Sequence, residues 1–403
     1  MTCVYCFWDS VNFFWGIMMR VVHIITRLIV GGAQENTLLN CADLKADFGD
    51  DVLLITGAET GREGSLAEYF EHSVPIKILP NLIRSISPCK DIFAYYAIKR
   101  CLAEFKPDVV HTHSAKAGIL GRLAAWNLGV KLVVHTVHGA PFYPYQNRLV
   151  RKFYQYCEWF AAKYCHAIIS VADAMTDLMV NAKIAPHNKF TTIYSGMEIE
   201  PLLNAKTLRQ ETRNKYGIIE NDIVIGKIAR LFHLKGHEYL IAAAKSVLQK
   251  IPNAKFLLIG DGILMEKFQN EIKEQGIDNR FIFTGLLPPE DIPAIISAMD
   301  ILVHTSLREG LARVLPQALL AGVPVISYDI DGAREVVIND VTGYLIPPKS
   351  VTELANAIIK LAESPTLRNQ LGQNGQKKFT KQFNHHNMTA QIRELYKSLL
   401  DKT

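Results

Sequence analysis

The stretch HTSLREGLARVLPQALLAGVP, His304 to Pro324, reads as the end of a buried strand, a loop and a helix. Ile301 to His304 closes an apolar run after Asp300, the length and character of a strand enclosed in a sheet. Thr305 to Arg313 is polar and carries Gly310, so it reads as the loop. Val314 to Ala321 is rich in Ala and Leu, with Gly322 placed to end a helix and Pro324 just beyond it. Pro316 belongs in the first turn, where its missing N–H does little harm. A helix N-terminus then stands behind Glu309, Gly310, Leu311 and Ala312. Its free N–H groups and the positive end of its dipole make a seat for a phosphate.

The same alternation extends outward through the chain. Arg20 to Thr26 is a strand, Leu28 to Gln34 a loop with Gly31 and Gly32, and Glu35 to Ala46 a helix. Short β-branched runs such as DVLLIT, VVHTH, KLVVHTV, HAIISV and FTTIYS follow, separated by helical patterns. Unbroken Val/Ile runs alternating with helices predict a parallel sheet covered on both faces. A polar stretch, Glu198 to Asn221, interrupts the pattern. It then restarts with IVIGKIA, AKFLLIG, RFIFTG, DILVHT, VPVISY and TGYLIP. We therefore expect an α/β chain of two Rossmann-like, doubly wound domains, 19–200 and 201–379, with a helical tail at about 380–403.

Composition narrows the function classes. The chain has 403 residues, 49% hydrophobic and 21% charged, enough for two domains with sizeable cores. The net charge is +5 without a polybasic run, which argues against a dedicated nucleic-acid partner. The seven cysteines all fall at or before Cys165, and Cys3 and Cys6 have no second pair to complete a metal site. This usage suits a reducing, cytoplasmic compartment. Residues 1–18 are aromatic and apolar but too short to span a bilayer and lack a basic start. We expect Met19 to be the natural start and the preceding segment an upstream extension, with a short membrane-contacting arm as the alternative.

Several motifs sit where strands end, the ligand-binding side of open α/β sheets. The glycines Gly31 and Gly32 let backbone approach a ligand closely, though a plain tight turn explains them equally. His111, His113, His135 and His138 punctuate two strands. They read as a metal set, as hydrogen-bonded strand-end histidines, or as a binding histidine at His138. GKIARLFHLKG, Gly226 to Gly236, places Arg230 and Lys235 around a strand–helix turn, where two fixed cations can neutralise a leaving phosphate. Gly285 and Leu286 end a later strand. Asp329-Ile330-Asp331 reads as a turn and helix cap rather than a metal pair. Residues 147–163, NRLVRKFYQYCEWFAAK, form a basic, aromatic amphipathic helix. We expect its aromatic face to pack on the sheet, with contact to a membrane surface as the alternative.

Glu309 and Gln317, eight residues apart, resemble the Glu-x7-Glu signature of the family 4 glycosyltransferases, which have the GT-B fold. In that family the first acid holds hydroxyls of the donor sugar and the second holds the ribose. Here Gln317 stands at the second place, and its amide retains the ability to hold hydroxyls. The resemblance runs from Met19 to the C-terminus. It implies two domains facing a cleft, with the C-terminal helix crossing back onto the first. It implies a donor site at Gly31, Gly32, Gly285, Leu286, Gly310, Leu311, Ala312 and Gln317, and catalytic roles for His138, Arg230, Lys235 and Glu309. The implied reaction moves a sugar from a nucleotide-diphosphate donor to a lipid-linked or glycan acceptor in surface-polysaccharide synthesis. It is retaining and metal-independent, needs no cofactor and takes place in the cytoplasm or at the inner membrane face. A nucleotide-sugar 2-epimerase of the same fold and a non-catalytic nucleotide-sugar-binding module are the alternatives.

Overall fold

The computed structural model describes residues 18–58, 66 and 73–402. The expectations for the N-terminal extension, Cys3 and Cys6 fall on residues 1–17, outside the described ones. The first sheet contains β1 (Arg20–Ile24), β2 (Asp51–Gly57), β3 (Ile76–Leu79), β4 (Val109–His113), β5 (Leu132–Val137), β6 (Ala167–Ser170) and β7 (Phe190–Thr192). Their order is β3-β2-β1-β4-β5-β6-β7, and every pairing is parallel. The second sheet contains β8 (Ile223–Ile228), β9 (Ala254–Ile259), β10 (Phe281–Gly285), β11 (Ile301–His304), β12 (Val325–Tyr328) and β13 (Gly343–Ile346). It runs β10-β9-β8-β11-β12-β13, again all parallel.

Both sheets reverse direction of strand addition in the middle, at β1/β4 and at β8/β11. Loops leaving two such neighbours diverge to opposite faces and open a crevice at the C-terminal strand ends. Each sheet buries apolar side chains on both faces. The first packs the helices Pro88–Phe105 and Ala115–Asn127 on one face and Gly32–Phe48 on the other. The second packs His237–Lys250 and Val351–Glu363 against one face and Val314–Leu320 against the other.

The chain crosses between domains twice at one place. Ile193 is buried with the first core, Met197 and Ile199 with the second. The boundary therefore precedes the expected position at 200/201. The polar stretch beyond it folds onto the second domain, where Arg209 and Arg213 both pair with Asp300. Returning, the chain meets the first crossing through Met197 N to Phe383 O at 2.8 Å. Asn384 then caps the helix His385–Leu400. That helix lies on Gly32–Phe48 and places Met388, Ile392 and Tyr396 in the first core, as expected for the crossing-back tail.

Two buried contacts fasten it. Arg393 makes paired hydrogen bonds to Asp50 at 2.8 and 3.0 Å, both side chains no more than 5% exposed. His385 Nδ1 lies 2.8 Å from Asp43. Removing one partner of a buried ion pair strands the other charge. Arg393→Ala is therefore expected to lower unfolding free energy by about 3–5 kcal/mol in urea titration. A loss under about 1 kcal/mol would mean that Asp50 is adequately solvated without it.

Candidate active site between the two sheets

Because β8 and β11 are neighbours, the turn after β8 and the loop after β11 lie side by side. Gly236 ends the first turn in the left-handed region, φ 69°, and caps the helix His237–Lys250. A Cβ there would stand 1.9 Å from Thr305 O, so only glycine lets the turn seat against the β11 loop. Thr305 Oγ1 donates to Gly236 O at 2.6 Å and accepts from Lys227 Nζ at 2.9 Å. Lys235, one residue before that glycine, forms an ion pair with Glu309.

Glu309 is held as a carboxylate. Burial would raise its pKa, but His304 and Lys235 outweigh it and hold it at about 2. His304 Nε2 is 3.9 Å away, beyond hydrogen-bond range, while its Nδ1 meets Ser327 Oγ at 2.9 Å. The Asp331 carboxylate accepts from Glu309 N at 2.7 Å and fixes the loop's entry. Asp331 thus braces the Glu309 loop instead of capping its own short 3-10 turn, which has no side-chain cap. The distant pairing across 22 residues explains why the local reading as a helix cap fails. The N–H groups of Gly310, Leu311 and Ala312 take no partner among the described residues.

The first domain meets this loop directly. Arg313 pairs with Glu35 at 2.6 Å and donates to Gly196 O at 3.1 Å. Its side chain also crosses Gly32, where a Cβ would be 2.3 Å from Arg313 Cδ. Arg308 donates to Ala140 O and covers the Tyr143 ring at 4.0 Å. A Cβ on Gly310 would stand 2.4 Å from His138 O. From the other side, Glu335 accepts from Asp173 N and Ala174 N, both at 2.9 Å. Between the domains lies a cavity of about 970 Å³, lined by Gly31, Gly32, Arg27, Lys116, Arg230 and Arg308 among others.

The expected residues fall into separate groups. Gly31, Gly32 and Arg230 reach the cavity wall. Lys235 pairs with Glu309, and His138 abuts Gly310. Gly285 and Leu286 end the edge strand β10, away from that wall, with Leu286 exposed. Gln317 is half-buried in the helix Val314–Leu320, and Ala312 is buried in the second core. His111 and His135 lie inside their strands, not at the ends, bonded to Thr136 and Thr112 at 2.6 and 2.9 Å. The ring nitrogens of His23, His111 and His113 cluster within 4.8 Å. Both nitrogens of His111 and of His113 are already hydrogen-bonded to neighbouring side chains.

The helix Arg148–Ala162 departs from expectation. Leu149, Phe153 and Tyr156 are 79%, 52% and 61% exposed, and Trp159 also faces solvent. The aromatic face points outward because small Ala161 and Ala162 make the buried contact. Sequence reading overlooked Lys227, Arg308, Arg313, Asp331 and Glu335 as site residues. Arg308 and Arg313 flank the organising loop and were there to be noticed. Their partners come from the other domain and leave no local trace.

Both domains match known proteins. The chain matches Glycosyltransferase Family 4 over residues 30–201 and Glycosyl transferases group 1 over residues 209–378. It is 30% identical to the Escherichia coli UDP-Gal:alpha-D-GlcNAc-diphosphoundecaprenol alpha-1,3-galactosyltransferase, over 94% of this chain and 96% of that one. The Staphylococcus aureus capsular polysaccharide biosynthesis glycosyltransferase CapM is 24% identical, over 82% and 86%. The structure of Anabaena HepE with UDP-glucose aligns with a TM-score of 0.80 at 24% identity, covering 94% of this chain and all of that one.

Lys227 provides a pH test of the site's interior. Burial foremost, then Lys235, lowers its pKa from 10.5 to about 7, against the opposing pull of Glu238 and Glu309. Between those values the unfolded chain binds the extra proton, so this group's contribution to stability rises with pH. Lys227→Met is expected to gain most over the parent below pH 7 and to lose that gain toward pH 10 in thermal unfolding. A difference that stays constant with pH would show that Lys227 keeps its charge inside the protein.

Proposed function

Because the chain belongs to the family 4 glycosyltransferases of the GT-B fold, we propose that it transfers a sugar with retention from a nucleoside-diphosphate sugar to a lipid-linked glycan, without a metal ion. The observation that carries this reading is the Lys235–Glu309 ion pair between the loops that follow β8 and β11, with Arg230 of the same β8 turn on the wall of a cavity that both domains line. The E. coli relative's name, which specifies a UDP-sugar donor and a diphosphoundecaprenol acceptor, supports the substrate classes.

In this mechanism Arg230 and Lys235 carry the charge that develops on the departing diphosphate. Donor binding draws Lys235 toward phosphate, and Glu309 turns to the sugar hydroxyls. The C1–O bond to phosphate breaks as the acceptor oxygen bonds to C1 on the same face. The acceptor hydroxyl proton passes to the leaving phosphate oxygen. Interlocking domains exclude water, so transfer outruns hydrolysis.

The cavity supports a lipid-linked acceptor. From Gly31 it extends past Ile86 to Phe153 and Tyr154 on the outward-facing aromatic helix. That helix carries Arg148, Arg151 and Lys152, with Lys163 just beyond it. Its one acid, Glu158, is buried against Arg122. Exposed aromatic side chains on a helix that also carries cations suit an anionic bilayer surface. No described helix is long and apolar enough to cross a membrane.

Nucleotide release from a panel of UDP-, GDP- and ADP-sugars tests the reaction. We expect one nucleoside diphosphate to be released, at a rate that rises with lipid acceptor and is unchanged by EDTA. Loss of turnover in EDTA would overturn metal independence. Arg230→Ala and Lys235→Ala should each lower kcat by about 10²–10³. Tyr156→Ser/Trp159→Ser, at exposed positions off the cavity wall, should weaken sedimentation with anionic vesicles while leaving turnover of a short, soluble acceptor unchanged. Equal sedimentation would remove this helix from the membrane reading.

A further inference from the structure

Parallel register places five polar residues on one buried face of the first sheet. His23 pairs with His111 across β1 and β4, and His113 pairs with Thr136 across β4 and β5. His113 and His138 each follow two residues on, and so return to the same face. Three of these rings connect directly. His23 Nδ1 lies 2.9 Å from His113 Nε2, and His113 Nδ1 lies 3.0 Å from His138 Nε2. His111 lies tilted against His113 with ring centroids 4.3 Å apart, but bonds separately to Thr136 and Tyr396.

A neutral imidazole has one N–H and one lone pair, so a row of neutral rings must donate in a single direction. Burial holds these rings neutral: His23 is lowered to about 3, His138 to about 4, and His113 well below its ordinary value. The far end of the row sets the direction. His23 Nε2 is buried and meets no polar partner among the described residues. An orphaned N–H there is worse tolerated than an orphaned lone pair. The proton of His23 therefore sits on Nδ1 and points to His113. His113 in turn donates through Nδ1 to His138 Nε2. His138 is left with its own proton on Nδ1, and it is the only one of the three rings that is not fully buried.

We propose that His113 and His23 are positioning residues that lock His138 in the Nδ1–H tautomer, making it a hydrogen-bond donor to a substrate oxygen. This role rests on the reading of His138 as a cleft residue of the glycosyltransferase. It separates His138 from general-base duty, since its one lone pair is taken by His113. It also assigns a purpose to His23 and His113, which are 0% and 1% exposed.

The test is ¹⁵N-histidine NMR on the full chain, with His138→Gln and His113→Asn supplying assignments. We expect His138 to show a protonated Nδ1 and a bare Nε2, with no titration down to pH 5.5. A protonated Nε2 on His138, or titration near 6.5, overturns the proposal whatever reaction the protein catalyses. Turnover then tests the consequence. His113→Phe keeps the ring but removes the donor, and should lower kcat by about tenfold with little change in KM. His113→Asn, whose amide nitrogen replaces Nδ1, should recover most of that loss. Equal kcat in Phe and Asn variants would assign His113 to packing alone. The tautomer measurement on the parent protein decides the matter even if the Phe variant does not fold.

Discussion

The loop from Leu307 to Arg313 must satisfy two domains at once, and the site depends on that constraint. Within its own domain, Glu309 is braced by Asp331 and paired with Lys235. Its neighbours Arg308 and Arg313 reach out to Ala140, Gly32, Glu35 and Gly196 of the first domain and its crossing. Leu311 packs against the cores of both domains. Gly310 lies between these anchors with no side chain, because His138 O occupies the place where a Cβ would stand. A shift in domain spacing would disturb the loop that holds Glu309, so domain approach and the arrangement of this loop are one event.

The two domains contribute different electrostatics. The second supplies Lys235, paired with Glu309, and Arg230 on the cavity wall. The first supplies Arg27 and Lys116 to the same wall, together with buried histidines kept uncharged by desolvation. At one edge of the cavity, the helix Arg148–Ala162 turns Leu149, Tyr156 and Trp159 to solvent.

Much of this was legible in the residues. The 304–324 stretch folds as read: β11 ends at His304 and the helix runs Val314–Leu320. Gly236 was correctly placed at a helix start, since a left-handed turn before a helix has a strong glycine preference. Two strand-rich halves and a returning terminal helix followed from alternation and resemblance. The misreadings have a common physical origin. Asp331 was assigned to its nearest helix because capping is a local pattern, whereas its carboxylate serves a loop 22 residues earlier. The helix Arg148–Ala162 was expected to bury its aromatic face, since amphipathicity shows that two faces differ but not which one the sheet receives.

By itself, the sequence determined the elements, their parallel arrangement and the positions of the cations and the glutamate at strand ends. Those follow from short-range sterics, hydrophobic period and turn chemistry, all of which act over a few residues. Only the tertiary structure decided the partnerships: Arg313 with Glu35, Glu335 with the start of the helix Asp173–Asn181, and Tyr396 with His111. It also decided that His23, never singled out in the sequence, joins His113 and His138 in one row. These contacts join residues between 25 and 285 positions apart. Register across parallel strands and the docking of one domain on another set them, and neither is encoded in any local window of the chain.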